Sequence, residues 1–352
     1  MNKKSQKIVI CGYYGRGNFG DEAILRVILS KIKKQNPEAK ILILNPKKIF
    51  SVVRNISGAD YFIFGGGSIL QNSTSDASLL YYLSVIGLSK LFCKRKIMLA
   101  NGIGPFIKRK IPLKILFNVI KHAINCFDFI SVRDSDSQKA LSALLPNRKI
   151  HLVPDPALIS FKNINQQLKS NQNDCFEKDF FIYIPHANSI LKSGIKTNRL
   201  AKTLKFLCSK HKLQLKIAVL NKKEDLPLAL EICAHISEAE IIAPQHEEDA
   251  ANSFRGAKFI ISSRYHGSLL ATVLEKPTIS ISTDPKIRGL CKDFYIFPTQ
   301  RYEMFENPLL FNAYIEKMMA FHTHNAKKIK ENINKYTKES ESALNEILNF
   351  SF

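Results

Sequence analysis

Short runs of apolar, β-branched residues recur along the chain, each followed by turn residues and then by a longer stretch with apolar positions at helical spacing. That alternation predicts an α/β protein. The predicted strands of the first half are Lys7–Cys11, Ile41–Leu44, Tyr61–Phe64, Ile97–Ala100, Phe129–Val132 and His151–Val153. Those of the second half are Phe180–Ile184, Leu215–Leu220, Ile241–Ala243, Phe259–Ser262, Thr278–Ile281 and, last, Phe294–Phe297. Strands that are apolar along their whole length, rather than alternating, belong in parallel sheets covered by helices on both faces. At 352 residues the chain exceeds what one core organises, so two doubly wound, Rossmann-like domains are expected, facing each other across a cleft. The polar segment Ser160–Lys178 predicts the boundary. It gives one domain over residues 1–160, a second over 178–307 and a helical tail over 308–352.

Charge narrows the partners. Lys and Arg number 52 against 30 Asp and Glu, a formal net charge of +22, which favours nucleic acid, an anionic membrane surface or phosphorylated substrates. The basic residues are scattered, Trp is absent and no RNP-type aromatic motif occurs, all of which point away from nucleic acid. Seven cysteines (Cys11, Cys93, Cys126, Cys175, Cys208, Cys233, Cys291) lack C-x-x-C spacing and read as reduced, mostly buried thiols of a cytoplasmic protein. The segment Met1–Cys11 runs into glycines and Asp21 too soon to hold a secretory apolar region. The longest apolar run, Leu79–Leu88, spans about ten residues against the roughly twenty of a membrane helix.

The candidate chemistry lies in loops that follow strands, where open parallel sheets bind ligands. Gly12-Tyr13-Tyr14-Gly15-Arg16-Gly17-Asn18-Phe19-Gly20-Asp21-Glu22 follows the first strand and opens a helix near Asp21. Its glycines and helix start suit an anion or sugar hydroxyls, although Asp21 repels phosphate and the spacing is not that of a dinucleotide fingerprint. The same residues also read as turn formers, with Asn18 or Asp21 as a helix cap. Gly65-Gly66-Gly67-Ser68 offers a backbone nest or a plain tight turn, again before a helix. Asn101, in Asn101-Gly102-Ile103-Gly104-Pro105, presents an amide, and Arg133 places a guanidinium at the carboxyl edge of its sheet, with a surface ion pair as the plainer reading. In the second half, Ser262-Ser263-Arg264-Tyr265-His266-Gly267-Ser268-Leu269-Leu270-Ala271 brings a guanidinium, an imidazole and helix N-terminal amides to one place. One βα unit later, Lys286 in Ser282-Thr283-Asp284-Pro285-Lys286 ends the adjacent strand and reaches the same place. His322 and His324 lie two apart on a helix and do not face each other, and no cluster has metal-ligand spacing.

These motifs together resemble the polysaccharide pyruvyl transferase family. The matching pieces are G-Y-Y-G-x-G-N-x-G-D-E-A-I-L from Gly12, F-G-G-G-S from Phe64, A-N-G-I-G-P from Ala100, R-D-x-x-S from Arg133, D-P-A-L from Asp155, S-R-Y-H-G-S-L-L-A from Ser263 and D-P-K-x-x-G from Asp284. The resemblance implies a glycosyltransferase-B-like pair of domains, phosphoenolpyruvate as donor, no separate cofactor, and a glycan or polyprenyl-diphosphate-linked saccharide as acceptor. It implies His266, Arg264 and Lys286 as catalytic residues on the donor side. Gly15, Asn18, Gly20, Asp21, Gly66, Gly67, Ser68, Asn101 and Arg133 then bind substrate in the acceptor domain, and Gly267 and Ser268 do so beside the donor. Two other readings fit the same residues: a glycosyltransferase using a nucleotide sugar, and a non-catalytic protein that binds a phosphorylated metabolite. The positive charge suits peripheral attachment at the inner face of an anionic membrane, where a lipid-linked acceptor resides.

Overall fold

A computed structural model of the chain describes residues 5–44, 49–73, 75–107, 111–170 and 179–349. It divides into two compact units: Met1–Ala157 with Lys338–Phe352, and Leu158–Thr337.

The first unit contains β1 (Lys7–Cys11), α1 (Phe19–Gln35), β2 (Lys40–Ile43), α2 (Ile49–Ile56), β3 (Tyr61–Phe64), β4 (Gly67–Leu70), α3 (Asp76–Phe92), β5 (Arg95–Ile103), α4 (Leu113–Ile124), β6 (Phe129–Val132), α5 (Ser135–Leu144) and β7 (His151–Leu152). Its strands run parallel in the order β2-β1-β3-β5-β6-β7, with β4 beside the far end of β5. β1 and β3 are buried almost throughout, as strands covered on both faces must be. On one face α2, α3, α4 and α5 share a core with them, centred on Phe62, Phe64 and Phe127, whose rings lie 6.0–6.5 Å apart. Successive connections leave in opposite directions from β1 and β3, so the loops after these two strands flank the topological switch point, the usual ligand crevice of such sheets.

The second unit opens with α6 (Ala157–Ser170) and continues through β8 (Phe180–Ile184), α7 (Ala187–Ser193), α8 (Thr197–His211), β9 (Gln214–Ala218), α9 (Lys222–His235), β10 (Glu240–Ile242), α10 (Glu247–Arg255), β11 (Ile260–Ser262), α11 (Tyr265–Val273), β12 (Thr278–Ser280) and α12 (Pro285–Asp293). A short 3-10 helix over Tyr302–Glu306 precedes α13 (Pro308–Ile347). The five strands are parallel in the order β10-β9-β8-β11-β12, which puts the switch point between β8 and β11. Among the described residues no helix is long and apolar enough to cross a membrane.

Eleven predicted strands are present, most with an end shifted by a residue or two, and three expectations need correction. Phe294–Phe297 is no strand: Phe294 caps α12, and Phe297 packs its ring against Tyr314 and Phe321 of α13. The triple glycine does not lead straight into a helix, because Gly67–Leu70 first pairs with β5. Ser160–Lys178 is not a linker over its first half, since α6 buries Phe161 and Ile164 within the second unit; residues 171–178, with Cys175, lie outside the described residues. The expected tail is one long helix whose residues up to Thr337 belong to the second unit. From Lys338 onward it joins the first, where Ser340 donates a 3.0 Å hydrogen bond to the Pro154 carbonyl and Leu344 and Leu348 are buried. The six described cysteines are free thiols, three of them buried.

Candidate functional site

In the first unit, the loop after β1 folds back on itself. The Glu22 carboxylate, on the first turn of α1, accepts the backbone N–H groups of Gly15 (2.7 Å) and Arg16 (3.4 Å) through one oxygen. Helix α1 starts at Phe19, earlier than expected, and Asn18 is its N-cap without a side-chain bond. Gly20 is buried in the helix start. Asp21 is buried against the loop after β3: a Cβ on Gly67 would stand 2.5 Å from Asp21 Oδ1, and the φ of +87° there already favours glycine. Gly66 leaves room for Ile24, whose Cγ2 would lie 2.7 Å from an added Cβ. The glycines after β3 are thus required by packing as well as by any ligand.

A polar cluster sits at the carboxyl ends of β5 and β6. Arg133, buried just after β6, donates from Nη2 to Ser68 Oγ at 2.7 Å and from Nη1 to Asp155 Oδ2 at 3.3 Å. Its Nε lies 3.7 Å from Asp134. The plainer reading of a surface ion pair does not hold: both Arg133 and Asp155 are interior. Gly102 is forced by this cluster, since a Cβ there would meet Ser68 Oγ at 2.5 Å and the guanidinium at 3.2 Å. Asn101 donates Nδ2 to the Gly65 carbonyl (3.2 Å), while its buried Oδ1 has no hydrogen-bond partner among the described residues. Such an orphaned acceptor calls for an explanation. The neighbouring motif residues are architectural. Asp134 caps α5 by accepting from Ser137 N (2.7 Å), Ser137 Oγ accepts from Ile103 N (2.9 Å), and Asp155 Oδ1 accepts from Ala157 N (3.0 Å).

In the second unit, His186 follows β8 and Arg264 follows β11, so the two flank the switch point. Arg264 caps α11 by position, which puts His266 in that helix's first turn, half-buried, with its ring edge-on to Tyr265 at 5.0 Å between centroids. Sequence reasoning missed the residues that hold the arginine. Asp225, fully buried at the start of α9, receives Arg264 Nε (2.6 Å) and Nη2 (2.7 Å), and Glu224 receives Nη2 at 2.6 Å. Asp225 also accepts from Ala187 N (3.1 Å). The planar fork expected to grip a ligand is therefore given to a carboxylate of the same unit, and only Nη1 makes no hydrogen bond among the described residues. Lys286 is likewise ion-paired, to Asp284 at 3.2 Å, where Asp284 caps α12. Its helix packs against α11, and β11 and β12 are neighbours, as expected. The cations of this loop cluster are thus preset by carboxylates rather than bare.

Gly267 and Ser268 belong to the interior. A Cβ on Gly267 would meet Ile184 and Ser262 side chains at 2.9 Å, and Ser268 shares a 2.9 Å hydrogen bond with Ser280 while wholly buried. Both seat α11 on the sheet, a packing role beside the one expected of them.

His186 carries a measurable consequence. Its Nδ1 accepts from Ser189 N at 3.2 Å, which requires an unprotonated nitrogen. Burial first, and then the charge of Arg264, lower its pKa from the ordinary 6.5 to about 4. Between these values the unfolded chain binds the extra proton and the folded chain does not, so stability falls as pH drops. Lowering pH from 6.5 to about 4 should cost roughly 2–3 kcal/mol through this group. A His186→Asn variant keeps a capping side chain without the titration. Urea denaturation across that range should give a flatter stability profile for the variant, and parallel profiles would rule the assignment out.

The family model described as "Polysaccharide pyruvyl transferase" matches residues 18–285, more than half of the chain. No curated protein matches it closely enough to count as a relative. Solved structures with a similar fold include a UDP-GlcNAc 2-epimerase from Methanocaldococcus jannaschii in complex with UDP-GlcNAc and UDP (TM-score 0.60, 12% identity, 90% of this chain and 93% of that one). Another is the UDP-GlcNAc 2-epimerase from Neisseria meningitidis bound to UDP-GlcNAc (0.58, 11%, 97% and 99%). A third is S. aureus MnaA with UDP (0.61, 14%, 97% and 96%). At these identities the likeness concerns the fold, which is α/β and glycosyltransferase-B-like as expected.

Proposed function

Because the chain belongs to the polysaccharide pyruvyl transferase family, we propose that it moves the pyruvate unit of phosphoenolpyruvate onto two hydroxyls of a sugar as a ketal, releasing phosphate. The acceptor is a cell-surface glycan or its lipid-linked precursor. The observation that carries this reading is the placement of Arg264 and His266 at the start of α11, beside the switch point of the second unit, with Lys286 at the head of the adjoining helix.

In this mechanism His266 protonates C3 of phosphoenolpyruvate, and C2 becomes electrophilic as the enol double bond is consumed. One sugar hydroxyl adds to C2, the second replaces phosphate, and the two hydroxyl protons restore the imidazolium and leave with phosphate. Negative charge grows on the departing phosphate, so fixed cations lower the barrier. Arg264 suits this role through Nη1, because Asp225 and Glu224 hold the group in one orientation before the ligand arrives. Lys286 is a compact charge that phosphate can draw from the partly exposed Asp284. In the first unit, the buried Oδ1 of Asn101, which has no hydrogen-bond partner among the described residues, is the acceptor this reading assigns to a sugar hydroxyl. Phosphoenolpyruvate is the whole donor, and no further cofactor enters.

The test is phosphate release from phosphoenolpyruvate with candidate glycan and lipid-linked acceptors, followed by the mass of the product. A gain equal to a pyruvate ketal is expected. Transfer from a uridine or guanosine diphosphate sugar with no phosphoenolpyruvate consumed would establish the glycosyltransferase reading instead, and phosphoenolpyruvate binding without release would leave a metabolite-binding protein.

A further inference from the structure

A helix on the surface of a protein ordinarily turns charged residues outward. Helix α3 does so at one exposed position, Lys90. Its other exposed positions include Ala77, Leu80, Ser84, Gly87 and Leu91, which recur at spacings of three and four and form an uncharged stripe about 21 Å long. Leu91 is 73% exposed, and Phe92 beside it is also exposed. Helix α4 packs alongside α3 and buries its inner residues in the same core, so both helices turn their outer faces away from the same side of the sheet. The outer face of α4 carries Ile115, 55% exposed, and Val119 one turn later.

The exposed charges on these helices are basic. Lys90, Lys114 and Lys121 are exposed and have no ion pair among the described residues, and the single carboxylate of the two helices is Asp76, at the start of α3. Large exposed aliphatic side chains rimmed by lysine match a surface that lies in the headgroup region of a bilayer. A second copy of the chain fits poorly. A two-fold contact would bring two faces whose exposed charges are lysines together, in a protein with a net charge of +22.

We propose that the outer face of α3 and α4 docks on an anionic lipid surface, with Leu91, Phe92, Ile115 and Val119 entering the headgroup region and the three lysines meeting lipid phosphates. Such a face would hold the first unit where a lipid-linked saccharide presents its sugar. Only that last consequence rests on the proposed function, since vesicle binding is read without turnover.

The experiment is co-sedimentation of the full chain with vesicles of phosphatidylcholine alone and of equal phosphatidylcholine and phosphatidylglycerol. Binding to the mixed vesicles is expected, falling as salt rises. Reversing the charge at Lys90, Lys114 and Lys121 should weaken it on the order of a hundredfold, at about fivefold or more per lysine. Leu91→Ser and Ile115→Ser should each weaken it about tenfold. All of these sites are solvent-facing, and unchanged denaturation midpoints confirm the fold. A control with the same charge change at Lys327, Lys330 and Lys338, exposed on α13, should bind almost normally. The proposal is overturned by absence of binding to the mixed vesicles, by equal losses in control and face variants, or by face variants that bind normally. It is overturned too if the wild-type chain sediments as a dimer that the face variants dissolve, or if it binds an acidic protein through this face and not the vesicles.

Discussion

Replacing His266 with alanine should lower pyruvyl transfer by about a hundred- to ten-thousandfold, the usual cost of removing a general acid. The fold should survive, because the imidazole is half-buried on the first turn of α11 and touches the Tyr265 ring rather than filling the core. The helix itself is anchored further along, where Gly267, Ser268 and Leu269 are fully packed. Phosphate release and the urea midpoint, measured on the same preparation, separate the two outcomes. Turnover at the wild-type rate would remove His266 from the mechanism, whereas a collapsed midpoint would make it a packing residue.

The second large effect is on stability. Asp225 is wholly buried and holds both the guanidinium of Arg264 and the amide of Ala187. Removing one partner of a buried pair strands the other charge, at a typical cost of about 3–5 kcal/mol. Glu224 still holds Nη2 in an Asp225→Ala variant, which places the expected loss toward the lower end. Asp225→Asn keeps an acceptor for one N–H and should lose less. Urea denaturation of the two variants gives the difference directly. An alanine variant within about 1 kcal/mol of wild type would mean that solvent satisfies the arginine and that the clamp is not needed. If the arginine is positioned by Asp225 for the proposed transfer, the asparagine variant should also lower kcat for phosphate release more than it raises KM, because the misdirected cation no longer meets the charge that grows on the departing phosphate.

Much of this architecture was legible in residue order. Tyr61–Phe64 and Phe180–Ile184 are continuous apolar runs, and both are central parallel strands buried on both faces. What escaped reading had no local signal. Gly67–Leu70 begins with glycine and spans four residues, too little pattern to mark a strand, and only its pairing with β5 makes it one. Helix α6 has no buried residue after Ile164, so its polar end resembled a linker. At the site, Arg264 and His266 stood out because they share a turn. The clamp on Arg264 did not, since Glu224 and Asp225 lie forty and thirty-nine residues earlier, and acids on the first turn of a helix are expected from its dipole alone. The partner of Ser268 was equally hidden, since its hydroxyl pairs with Ser280 twelve residues later.

The Glu22 carboxylate bound to the amides of Gly15 and Arg16 has a consequence for selectivity. Consecutive backbone N–H groups at a helix entrance ordinarily attract free anions, yet here a resident acid already neutralises them. A phosphorylated molecule approaching this loop meets negative charge and spent donors. A neutral polyol can instead donate its hydroxyls to that carboxylate, so under the proposed function this entrance would favour the sugar over the phosphorylated donor.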